Sequence, residues 1–134
     1  MKRAVQVFCV AALIYLALGG TLIGQAAPIK VDRLSVLIVS ETANRGSLPS
    51  AQLTAMLSVK VTKYVESVGG QIRRLDPDAD ISKEEQWVKD AYRVWGQNPL
   101  PWVVVASARG GDSVPMPANL DEFMALIEKY GGAP

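Results

Sequence analysis

The chain has 134 residues, 49% of them apolar, a formal charge of +1 and no histidine. That length and apolar share suit one small globular unit plus an accessory segment, and the near-zero charge gives no electrostatic reason for a nucleic-acid or acidic-surface partner. The lack of histidine removes Ser-His-Asp and Cys-His catalysis and every imidazole metal site at once.

Lys2 and Arg3 precede an apolar run from Val5 to Leu18, and Gly19, Gly20, Gly24, Ala26 and Ala27 supply small residues before Pro28. Positive, apolar and small residues in that order read as a secretory signal peptide over residues 1–26, with cleavage after Ala26 and a secreted or periplasmic product. The competing reading is an uncleaved anchor, because Val7 to Gly24 approaches the length of a spanning helix and would hold the remainder outside the cytoplasm. Cys9 is the single cysteine and lies inside the apolar run, so a cleaved product has no thiol and stands without disulfides. Removing Lys2 and Arg3 from the 14 basic side chains leaves 12 against 13 acidic ones, and a cleaved product has no stable membrane attachment.

Ile29 to Arg33 is a lead-in, and Leu34 to Val39 is apolar nearly throughout, the pattern of a strand covered on both faces. Ser40 to Pro49 then reads as a polar loop, long for a strand-to-helix connection. Ligands of open α/β sheets gather beyond the carboxyl ends of strands, which makes this loop the first place to look for a site. Asn44, Arg45 and Gly46 lack the glycine spacing and the Gly-Lys-Ser/Thr ending of a phosphate loop.

Leu53, Met56, Leu57, Val61, Tyr64, Val65 and Val68 recur at three-and-four spacing and predict one core-facing helix of roughly five turns, ended by Gly69-Gly70. Gln71 to Leu75 reads as a second strand. Asp76, Asp78 and Asp80 follow at every second position and are weak candidates for a hard cation; Ile81 stands where a calcium loop needs its turn glycine, and Trp87 where it needs its closing glutamate.

Ser82 and Glu85 have capping-box spacing, and Trp87, Val88, Ala91, Tyr92 and Trp95 make a helical stripe suited to packing on the sheet. Leu100-Pro101 leads stiffly into the strand Trp102 to Ala106, with the isomer of that bond open. Ser107 to Asp112 is a tight turn, Ser113 to Met116 at most a short edge strand because of Pro115, and Asn119 caps a last helix carrying Leu120, Phe123, Met124, Ile127 and Tyr130. Without repeat, charge block or linker, residues 27–134 are one unit.

The resulting order β-α-β-α-β-β-α resembles the thioredoxin fold from Leu34 to Tyr130, most specifically at Leu100-Pro101-Trp102-Val103-Val104-Val105, which is similar to the proline-led entry of that family's third strand. The resemblance implies a small three-layer α/β sheet with helices on both faces and a cis-proline at Pro101. Its redox-active members carry Cys-x-x-Cys where this chain has Ser47-Leu48-Pro49-Ser50-Ala51-Gln52. No hydroxyl or amide replaces an attacking thiolate, so the expectation is a non-redox member without a cofactor.

In that fold the loop and Pro101 border one groove. The expectation is a non-catalytic module, or a structural accessory, that binds a protein or peptide through Glu41, Asn44, Arg45, Ser50, Pro101 and Trp102. The alternative is a metal-dependent hydrolase using carboxylates alone, from Glu41, Asp76, Asp78 and Asp112. A homo-oligomer through the edge near Val114 is a further expectation.

Overall fold

The computed structural model describes residues 25–27 and 29–133. The predicted leader up to residue 24 and the apolar run from Val7 lie outside the described residues, as does Cys9.

Strand formation follows the apolar runs. Five strands form one sheet: β1 (Gln25–Ala26), β2 (Ser35–Val39), β3 (Gln71–Leu75), β4 (Trp102–Ser107) and β5 (Gly110–Pro115). Their spatial order is β1-β5-β4-β2-β3. β2 runs parallel to β3 and antiparallel to β4, and β4 pairs antiparallel with β5, so the sheet is mixed. Every residue of β2 and β4 is buried, the burial expected of central strands covered on both sides.

The helices are α1 (Ser50–Met56), α2 (Val59–Ser67), α3 (Gln86–Trp95) and α4 (Leu120–Gly131). Strand alternation sorts the core into two layers. Val36, Ile38, Val103 and Val105 face Met56, Val61, Tyr64 and Val65 of α1 and α2 and Phe123 and Ile127 of α4. Leu37, Val39, Trp102 and Val104 face Trp87, Val88, Ala91 and Trp95 of α3, with Ile29 and Val31 of the lead-in packed alongside. The chain is therefore a small α/β domain with helices on both faces and the predicted element order. No helix of the described residues is long and apolar enough to cross a membrane.

Four sequence expectations are corrected. The single five-turn helix is two: α1 stops at Met56, and Ser58 begins α2 by accepting from the Lys60 amide at 3.1 Å. The break turns Leu57 outward to 46% exposure although it lies on the predicted stripe. The loop after β2 contains a 3₁₀ helix, Thr42–Ser47. Ser82 caps no helix; α3 starts at Gln86 after Glu85, and the Ser82 amide instead donates to Asp80 Oδ1 at 3.0 Å.

The fourth concerns β5, which is a full six-residue strand rather than a short stub. Pro115, lacking an N–H, sits at its last position, where the ladder tolerates it. β1 pairs Gln25 with Ser113 and Ala26 with Asp112, covering part of the edge near Val114. Gln25–Ala26 thus takes part in the sheet although the sequence reading assigned both residues to the leader.

Candidate functional site

Three segments meet where β2 ends. Ser40 continues β2 and is held by its amide to the Leu75 carbonyl at 3.0 Å. The 3₁₀ helix folds back over the strand ends because Asp76, just past β3, accepts from both the Thr42 amide (2.8 Å) and the Thr42 hydroxyl (2.6 Å). Those two bonds, the hydroxyl first and the amide second, hold the Asp76 carboxyl below its ordinary range. From the other side comes Leu100-Pro101, whose peptide bond is cis. The Pro101 carbonyl accepts from the Met116 amide at 3.0 Å, which ties this segment to the residue after β5.

Between these segments lies a cleft of about 230 Å³ lined by Ser40, Glu41, Asn44, Ser47, Leu48, Leu100 and Pro101. Its wall mixes two aliphatic side chains and a proline ring with two hydroxyls, an amide and a carboxylate. The Leu100 backbone N–H and C=O enter none of the hydrogen bonds among the described residues.

Of the sequence-nominated groove residues, Glu41, Asn44 and Pro101 line this cleft. Arg45 is not among the lining residues but is bonded to one of them, its Nη2 donating to Ser40 Oγ at 3.3 Å. Ser50 is the exposed first residue of α1 and is not among the lining residues. Trp102 is a correction: it is 1% exposed and forms no wall. Trp102 pairs with Val39 and shares its side of the sheet, facing α3, while Ser40 follows the alternate side with Ile38. Its Nε1 donates to Ser113 Oγ at 2.8 Å in a buried bond.

Ser40, Ser47, Leu48 and Leu100 were not nominated. Leu48 carried a readable signal, being the one large apolar side chain in an otherwise polar stretch. Gln52 is a neighbour missed for the opposite reason: its Nε2 reaches the Met116 carbonyl, 64 positions away, at 2.9 Å.

The carboxylates do not assemble. Asp76 is engaged by Thr42, Asp80 by the Ser82 amide, and Asp112 by Lys129 Nζ at 3.5 Å. β3 and β5 are separated by β4 and β2, three strand spacings of about 4.8 Å each, which keeps Asp112 away from Asp76 and Asp78. Among the described residues no three His, Cys, Asp or Glu side chains come together in a group able to hold a metal ion.

Fold and cleft together define a small α/β domain with a mixed sheet and a chain-wide count of one cysteine, bearing a shallow cleft at the carboxyl end of β2. No family model matches the chain, no curated protein matches it, and no solved structure matches it.

Proposed function

We propose that this chain is an exported, non-redox, thioredoxin-like domain that binds an extended segment of a protein or peptide in the cleft between the 3₁₀ helix and Leu100-Pro101. The topological support is the order β5-β4-β2-β3 with a parallel β2–β3 pair and a proline-led β4. One cysteine cannot make a Cys-x-x-Cys pair, which removes the dithiol chemistry of the redox-active relatives.

The single observation that carries the binding reading is the free backbone of Leu100 beside the aliphatic wall of Leu48 and Pro101. An extended peptide pairs with such a backbone through its own amides, while the neighbouring pocket selects a side chain. Asn44, Ser40 and Ser47 supply further hydrogen-bonding groups without demanding a charge.

The test is a titration of isotope-labelled full-length chain with short neutral peptides, followed by amide shifts. The expected result is perturbation of Asn44, Leu48 and Leu100, abolished by Leu48→Lys. Saturating peptide that leaves those amides unmoved overturns the reading. Trp102, being buried, is not a suitable reporter.

A further inference from the structure

The register of β2 with β3 and one side-chain bond from the 3₁₀ helix place two arginines on the Ser40 side of the sheet. Arg74 pairs with Ile38, whose side chain faces α1 and α2, and Ser40 lies two residues further along the same strand direction, on the same side. Arg45 reaches back from the 3₁₀ helix to Ser40. The side chain of Arg74 reaches toward α1 and α2, with Nε on the Met56 carbonyl at 2.8 Å and Nη2 on Thr62 Oγ1 at 3.3 Å.

Neither guanidinium is paired with a carboxylate among the described residues. The ion pairs among the described residues are Arg73–Glu84, Arg93–Asp90 and Lys129–Asp112. Burial first, and repulsion by Arg45 second, lower the Arg74 pKa. Arg45 Nε is itself buried without a hydrogen-bond partner. Asp76 lies close enough to feel Arg45, but its Oδ1 is already occupied by both donors of Thr42. Two like charges, partly desolvated and with no carboxylate in direct contact among the described residues, are a costly arrangement that an added anion relieves.

We propose that Arg45 and Arg74, with the Ser40 hydroxyl, form an oxyanion subsite adjoining the cleft, and that its occupant is the carboxylate of an acidic side chain on the bound peptide. The planar guanidinium fork matches a carboxylate or phosphate, and Nη1 of each arginine is free of protein partners among the described residues. Glu41 lines the cleft as well and repels an anion from its own wall, which leaves the Arg45 side for it. The source of the carboxylate rests on the peptide-binding reading; the oxyanion chemistry does not, since free inorganic phosphate offers the same oxygens.

The experiment is calorimetry and amide-shift titration on the full-length chain, with its apolar leader dispersed in a non-ionic detergent. Three probes are used: inorganic phosphate, a glutamate-containing extended peptide, and the same peptide with glutamine in place of glutamate. The expected result is that the acidic peptide binds about tenfold tighter than its neutral isostere. Arg45→Gln erases that difference, Arg45→Lys restores part of it, and raising salt from about 50 to about 300 mM weakens the acidic peptide alone. Arg74→Gln also removes a helix contact, so the Arg45 pair carries the result, with circular dichroism of each variant matched to the parent.

Equal binding of the two peptides overturns the oxyanion subsite while leaving the cleft reading intact. Phosphate bound in an Arg45-dependent way with neither peptide bound overturns the cleft reading and supports the subsite with a free anion as its source. No binding of any probe overturns both.

Discussion

Arg74 on β3 donates from Nε to the carbonyl of Met56, the last residue of α1, at 2.8 Å. Met56 belongs to the final turn, whose carbonyls have no intrahelical partner. A cation placed there satisfies one of them and suits the negative end of the helix dipole. The same side chain touches Thr62 on α2, so one arginine bridges both sides of the break at Leu57 and Ser58. We expect Arg74→Leu to lower stability by about 1–3 kcal/mol, the cost of a part-buried carbonyl losing a charged donor. Ser58→Ala, removing the α2 cap, costs about 1 kcal/mol. Urea unfolding of the two single variants and the double variant reads both losses and their coupling.

The buried bond between Trp102 Nε1 and Ser113 Oγ joins β4 to β5 from within the α3 layer. Ser113→Ala leaves an indole N–H in an apolar setting without an acceptor, at a cost of about 1–3 kcal/mol. Ser113→Thr retains the oxygen and is expected to lose less. Thermal unfolding followed by tryptophan emission separates the two variants, and equal midpoints for parent and Ser113→Ala would count against this role for the bond.

The central strands were readable because burial on both faces leaves only apolar side chains, as in Val36 to Val39 and Trp102 to Ala106. The same property hid the direction of Trp102: a run without polar alternation does not say which residue faces which layer. The helix break was unreadable for another reason. Met56 and Val61 both face the core, so the apolar periodicity carries across Leu57 and Ser58, while the group capping the first helix, Arg74, lies 18 positions downstream. Of the cleft, the meeting of Glu41 and Asn44 with Pro101 was legible through the thioredoxin resemblance, whereas the side on which Arg74 lies follows from the register of β2 with β3, and the place of Arg45 from its bond to Ser40.

Gly111 stands on β5 close against the β4 backbone and Ala27. A Cβ there would lie 2.4 Å from the Val105 carbonyl oxygen and 3.0 Å from the Ala27 methyl. Backbone cannot withdraw as a flexible side chain can, so Gly111→Ala is expected to destabilise by about 2 kcal/mol or more. Ala27 is buried and its amide donates to the Gly111 carbonyl at 3.3 Å. A chain beginning at Ala27 lacks β1 and places a charged amine at that position, which lowers stability more at pH 6 than at pH 9, where the amine is neutral. Comparing chains that begin at Gln25 and Ala27 at the two pH values measures this directly; identical stabilities would remove β1 from any structural role.

Asp76 is the tie that sets the 3₁₀ helix over the cleft, and its strength depends on pH in a definite direction. The Thr42 hydroxyl and amide favour the carboxylate form, so the folded pKa lies below the unfolded one, which is about 4. A group with a depressed folded pKa contributes fully above its unfolded pKa and loses that contribution as pH falls through its folded pKa. The parent is therefore expected to exceed Asp76→Asn in stability from neutral pH down to about pH 4, with the difference shrinking at lower pH. Thr42→Val removes the hydroxyl donor and weakens the same dependence from the other partner. Urea midpoints for the three proteins between about pH 7 and pH 2 test the sign, and amide shifts of Asn44 and Leu48 over the same range report whether the cleft loosens with the tie. A parent-to-Asn difference that stays constant down to the acid limit would mean that the Thr42 contacts do not distinguish the two protonation states, and that the 3₁₀ helix is held by its other contacts, the Arg45 bond to Ser40 and the Leu48 packing.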